Sequence, residues 1–383
     1  MTDFRLQILT IRQLRAAAVF GVAAVLLVAS LLAVWRPPST APAQAAQRYA
    51  GFWFASPNTG YALTVAGSGI NLYRTTNSAA SWQRLHSPGD SADRPDFLQL
   101  VADGSLLLQT RAPGGGEPRY WLSTDGGADW RQLLVTADPG FSWSLQAFDR
   151  RTFLAVGRLA FGAGTNPELV LRWTHDGGRT WTEVLHLDLA QPAAGPLNVT
   201  ANFSGPRFID DRRGWALTNL PGRRGVTRLG APPTVLRTDD GGQTWSALAL
   251  PGGELSQGFD LPVFPGGGEH GYLLGYTGTS PLIYETQDGG HHWARPYTSR
   301  VSQFAAAADR WFSSSGGQVL VSSDWGRTWT PITPELPRGS AELGALQVTG
   351  AMLWSVPLDR APVDLLRSSD GGWTWARAGW PGT

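Results

Sequence analysis

The side chains with the most chemical reach in this chain are carboxylates and guanidiniums. Thirty acidic residues face 31 basic ones, all of them Arg, for a formal charge of +1. So even a balance predicts no nucleic-acid partner, because phosphate binding rests on a clustered positive field. Hydrolysis of a glycosidic bond would need two carboxylates facing each other across one groove, roughly 5–10 Å apart. Asp90, Asp93 and Asp96, in a stretch between repeats, are the best placed for it. Asp210-Asp211 read instead as solvated turn carboxylates beside Arg212 and Arg213. His270 and the adjacent His291-His292 would be the imidazoles of a zinc site, but neighbouring side chains on a strand-leading turn point apart. The chain has no Cys, which excludes disulfides and thiolate metal sites. Neither a metal nor a cofactor is expected. Arg223, Arg224 and Arg228 form the densest basic patch beyond the N-terminus and are the candidate partner-binding residues, since Arg is enriched in protein interfaces.

What must position such groups is a repeat. The eight-residue pattern Ser/Thr-x-Asp-Gly-Gly-x-Thr-Trp, clearest at residues 174–181, returns at 123–130, 238–245, 286–293, 322–329 and 368–375. A worn copy at 75–82 carries Asn for Asp. The third-place residues are Asn77, Asp125, Asp176, Asp240, Asp288, Asp324 and Asp370; the closing tryptophans are Trp82, Trp130, Trp181, Trp245, Trp293, Trp329 and Trp375. An Asp here folds its carboxylate onto nearby backbone N–H groups, the glycines accept positive φ, and the Trp brings a large ring to the turn it follows. A single carboxylate per box is too few ligands for calcium, so the role of these residues is structural.

The tryptophans are 48, 51, 64, 48, 36 and 46 residues apart, the period of a small sheet unit. Each period resolves into four short apolar segments. In the fourth they are residues 206–209, 215–218, 234–237 and 245–248, with the box between the last two, and a Gly-Trp or Gly-Tyr step opens the second segment. The composition, with 47 Gly, 27 Pro and only 16% charged residues, suits many short strands joined by tight turns. The expected fold is all-β: a seven-bladed β-propeller of four-stranded antiparallel blades over residues 48–383. The boxes and the turns between first and second strands would share one face. The longest loops, 158–167, 186–202 and 219–233, would lie on the other, where binding is expected.

Residues 16–35 are 20 uncharged residues, enough to cross ~30 Å of hydrocarbon as a helix. Arg5, Arg12 and Arg15 precede them in a short segment, 1–15, which the positive-inside rule leaves in the cytoplasm. A single-pass signal anchor in the cytoplasmic membrane with the propeller outside is the expectation, the alternative being secretion after cleavage near Ala45. Residues 36–47 make a Pro/Ala-rich linker.

The box resembles the Asp-box, or bacterial neuraminidase repeat, of sialidases, sortilin-type receptors, some glucanases and the photosystem II stability and assembly factors. The run from RFIDDRRGWALT to RTDDGGQTW is most similar to the last of these. That resemblance implies a non-catalytic, extracytoplasmic propeller that binds a protein partner, among the candidates an integral membrane protein, and an arginine-rich surface belongs to that family's binding character. The sialidase likeness would instead imply a carbohydrate ligand, with an Arg cluster, a Tyr nucleophile with a Glu partner and an Asp acid. The Arg-Ile-Pro motif of sialidases is absent at residues 47–52, and none of the eight Glu has an evident Tyr partner. A glycoside hydrolase of sialidase or glucanase type and a sortilin-like peptide receptor are the alternatives to the scaffold.

Overall fold

A computed structural model describes residues 48–381, except 67–68, 87, 89–92, 113–115, 136–139, 160–167, 190–203, 219–233, 253–257, 266–267, 278–279, 300, 302–303, 308, 316, 339, 341 and 358–364. The expected anchor and linker, residues 1–47, lie outside that set, as do Arg223, Arg224 and Arg228. Among the described residues no helix is long and apolar enough to cross a membrane.

The described strands form seven four-stranded antiparallel sheets, each built from one contiguous stretch of chain with its strands in sequence order. The molecule is a seven-bladed propeller. Blade 1, for example, comprises Arg48–Phe54, Gly60–Ala66, Gly69–Thr75 and Gln83–Leu85. Second and third strands carry the buried apolar residues, whereas the short fourth strands, such as Gln83–Leu85 and Ala376–Ala378, are mostly exposed and form the outer rim. Blade 3 differs in its outer strand, Thr182–Asp188, which runs for seven residues.

The Gly-aromatic step that opens the second strand has a steric cause. A Cβ on Gly60, Gly214 or Gly271 would stand 2.6, 2.6 or 2.4 Å from the ring of Phe54 or Phe208, at the end of the first strand, or of Phe264, five residues beyond it. The ring lies flat over the glycine, so any larger residue would eject it.

Apolar clusters lie between blades rather than within them. One joins Leu154, Leu171 and Trp173 of blade 3 to Phe208, Leu236 and Trp245 of blade 4. Corresponding clusters bridge the other six pairs, blade 7 with blade 1 included. That last pair closes the ring, and no strand is exchanged to do it. Phe54 stacks on Trp354 at 3.5 Å between ring centroids. Arg367 donates to the Ser78 carbonyl at 2.9 Å, the Gly379 amide to Ala79 O at 2.7 Å, and the Trp82 indole to Gly379 O. Of the two closures open to the sequence, abutting blades or a strand lent from near Arg48, the structure has the first.

The box is both a turn and a latch. In blade 3, Asp176 Oδ1 accepts from the Thr174 hydroxyl and from the amides of Arg179 and Thr180, while Oδ2 accepts from the Thr180 hydroxyl at 2.6 Å. These donors, the Thr180 hydroxyl foremost, then its amide and the Thr174 hydroxyl, hold the carboxyl far below its ordinary range. Asp370 is lowered to about 2 by the same arrangement led by Thr374. In blade 1, Asn77 Oδ1 keeps the Thr75 and Ser81 contacts. An amide therefore serves the geometry without the charge.

The fourth box place has positive φ in every blade. It is Gly in five, Ser78 at φ 56° in blade 1 and Trp325 at φ 61° in blade 6. In four blades its carbonyl takes a hydrogen bond from the preceding blade: Gly177 O from Arg131, Gly241 O from Trp173, Trp325 O from Tyr297 and Ser78 O from Arg367. Its amide points back along its own blade, Gly177 N donating to Arg151 O and Gly241 N to Arg212 O. Boxes and first-to-second-strand turns thus share a face, as the alternation of turns requires.

Candidate functional site

On the box face, blade 3 presents its turn residues Asp149-Arg150-Arg151-Thr152 between two neighbours. The turn is held by Asp149 Oδ1, which accepts from the Arg151 and Thr152 amides at 2.6 and 2.8 Å. It is tied to blade 2 by the Arg150 amide, which donates to Asp103 Oδ2 at 2.8 Å. Below it, the first strands are clamped by glutamine amides. Gln99 exchanges two hydrogen bonds with the Ala147 backbone, and Gln146 two with Phe208. Both turn arginines therefore stand on a rigid base spanning three blades.

A groove of about 410 Å³ opens between the boxes of blades 2 and 3, lined by Arg131, Arg150, Arg151 and Arg179 together with Asp125, Asp129 and Asp176. Asp125 and Asp176 belong to boxes and are saturated by box donors. Arg131 is spent on Gly177 O, and Arg179 caps Asp176 O. The side chains of Arg150 and Arg151 are exposed and their guanidiniums make no hydrogen bond among the described residues, although the charge of Arg150 helps hold the Asp103 carboxyl below its ordinary range. A guanidinium whose N–H donors are unused is ready to donate to an anionic group.

The sites considered from sequence come out differently. Asp93 is 2% exposed and engaged by Arg119 at 3.1 Å and Thr110 at 3.3 Å, a buried structural pair. Asp96 lies within a strand, Arg94–Leu100, rather than in a link between blades, and Asp90 lies outside the described residues. The Asp93 carboxylate is therefore already engaged and not free to face another across a groove.

His291 and His292 do point apart. The first meets buried Arg237 at 2.7 Å and the second Asp288 at 2.6 Å. Among the described residues no three metal-ligating side chains gather.

A Tyr–Glu pair that the sequence did not reveal does exist: the one hydroxyl proton of Tyr297 is shared between Glu285 at 2.8 Å and Trp325 O, with Arg327 over the ring and bonded to Glu285. Burial, then the hydrogen bond to Glu285 and its charge, push this phenol well above its ordinary range. It lies on the outer strand and ties blade 5 to the box of blade 6. A nucleophilic phenol would need the opposite shift. The groove arginines were also missed; two adjacent arginines in a first-to-second-strand turn were the available signal.

No protein-family model matches the chain, and no curated protein matches it. Solved structures do resemble it. YCF48 from Cyanidioschyzon merolae is 12% identical, with a TM-score of 0.50, over 85% of this chain and 96% of that one. The β-propeller domain of the Trilobed protease from Pyrococcus furiosus, described as having an open velcro topology, is 13% identical with a TM-score of 0.52, over 88% and 100%. A puromycin-hydrolyzing peptidase of Mycobacterium tuberculosis is 12% identical with a TM-score of 0.57, over 88% of this chain but only 54% of its own. At such identities the likeness extends to the fold alone, a β-propeller.

Proposed function

We propose that this chain is a membrane-tethered, extracytoplasmic binding scaffold that docks an acidic segment of a protein partner, an integral membrane protein being the expected kind. The observation that carries the reading is a pair of exposed guanidiniums with unused donors, Arg150 and Arg151, on a turn tied to blade 2 beside a groove between two blades. The fold resemblance to an assembly factor agrees with it, and so does the run of 20 uncharged residues ahead of the propeller. The Tyr297–Glu285 pair, with its phenol held protonated, weighs against sialidase chemistry.

Affinity purification of the full chain from its native membranes should recover an integral membrane protein. Arg150→Ala/Arg151→Ala should reduce that recovery at least fivefold while leaving the thermal melt unchanged. Turnover of a fluorogenic sialoside or a β-glucan by the full chain would overturn the scaffold reading.

A further inference from the structure

The arginine groove is one end of a longer depression. Arg150 and Arg151 also line a second cavity of about 570 Å³, together with Asp103, Asp149, Thr152 and His175. Asp149 and Thr152 then line a third, of about 480 Å³, whose other walls are Gln99, Gln146, Phe148, Phe208, Ile209, Asp210 and Asp211 from the first strands and turns of blades 2, 3 and 4. The three cavities adjoin through these shared lining residues, outlining a trough over the blade 3 turn from the boxes to the first strands.

Its charge changes sign along the way. At the outer end the guanidiniums of Arg150 and Arg151 make no hydrogen bond and stand with Arg131 and Arg179, four arginines against three carboxylates, Asp125, Asp129 and Asp176, of which the first and last are engaged by box donors. At the inner end stand Asp149, Asp210 and Asp211. Asp210 is answered by Arg213 at 2.7 Å and Asp211 by His175 at 3.5 Å, while Asp149 is engaged by donors of its own turn, the Arg151 and Thr152 amides and the Thr152 hydroxyl, and by no cation. The inner floor, with Phe148 and Ile209 half-buried, is apolar enough to hold the methylene stem of a long cationic side chain.

Resting on the scaffold reading above, we infer that the trough selects an extended polypeptide segment of mixed charge. Its carboxylates would lie over Arg150 and Arg151, and a Lys or Arg farther along would reach the carboxylates of Asp149 and Asp211. The acidic end supplies attraction; the cationic residue sets register, because charge complementarity decides which alignment avoids like charges.

Fluorescence anisotropy with the full chain tests this, using two labelled octapeptides: one with three Glu followed by two Gly and three Lys, the other with six Glu and two Gly. The mixed peptide should bind at least fivefold more tightly. Asp149→Asn/Asp211→Asn should remove that advantage and leave the all-acidic peptide unweakened, whereas Arg150→Ala/Arg151→Ala should weaken both. Asn can still accept the turn amides through its side-chain oxygen, so the turn survives the change. Equal affinity of the two peptides, or equal loss of both in the Asp variant, would overturn the inference while leaving the scaffold standing. Failure of both peptides to bind the unmodified chain would remove the scaffold's acidic docking site and this inference together.

Discussion

Blades 1 to 3 and blades 4 to 7 carry the same box and use its tryptophan in opposite ways. In the first three, the indole N–H crosses to the preceding blade: Trp82 to Gly379 O, Trp130 to His86 O at 3.1 Å, Trp181 to Leu134 O at 3.2 Å. In the last four it closes on its own box, Trp245, Trp293, Trp329 and Trp375 donating to Gly242, Gly290, Gly326 and Gly372. The crossing acceptor is always the residue four beyond the preceding blade's own box Trp, which sits just past a three-residue outer strand.

Elsewhere that place is different. Blade 3 continues its outer strand to Asp188, blades 4 and 5 have only two-residue outer strands, and the chain leaving blade 6 pairs Glu335 with the box of blade 7. The contrast teaches that the box fixes a turn, while the outgoing strand of the previous blade decides what the ring holds on to.

The largest test of this contrast is truncation. Trp245 is 4% exposed and Trp130 half-buried, so Trp245→Ala should cost ~3–5 kcal/mol and Trp130→Ala about half as much, read by urea unfolding. Equal losses would break the division.

Acid comes next. The folded carboxyls of the box Asp residues titrate below the ordinary 3.8, so their stabilisation is complete above about pH 4 and is lost as pH falls through the folded values, about 2 for Asp370. Asn77 contributes nothing to this slope. Asn77→Asp should steepen the acid melt and Asp240→Asn flatten it; identical slopes would show that the boxes do not govern acid unfolding.

Trp181→Phe should cost ~1 kcal/mol and speed hydrogen exchange in blade 2's outer strand, residues 131–133, whereas Trp375→Phe should leave blade 6's outer strand, residues 330–332, unaffected. Smallest is Ser78→Gly. Relief of a positive φ is offset by loss of the 2.7 Å bond from Ser78 to Asn58, for a net change under ~0.5 kcal/mol, while Gly177→Ser at the same place in blade 3 should cost about 1 kcal/mol by thermal melt.

The fold was legible because its signals are local. A carboxylate bonded to amides three and four residues on, and a glycine beneath a phenylalanine ring, leave their spacing in the sequence. The seven blades followed from the count of boxes, and the shared face of boxes and turns from alternation along a meander.

What depended on partners in the next blade or across a strand pairing was not legible. Gln99 and Gln146 read as polar residues in apolar strands until the next blade's backbone is placed beside them. Glu285 and Tyr297 are twelve residues apart and meet only across paired strands. The candidate arginines drew attention to the loop face, because loop length is visible in sequence. The groove arginines owe their position to a two-residue turn wedged between boxes, which length does not mark.

Because every blade is cut from one uninterrupted piece of chain, and the joint between the seventh and the first is made of the same materials as the other six, the ring has no mechanically privileged starting point. A gene reopened at any link between blades, with its old ends joined, would encode the same circle. Blades are interchangeable cassettes in that sense, and changes to one groove can proceed without disturbing how the circle shuts.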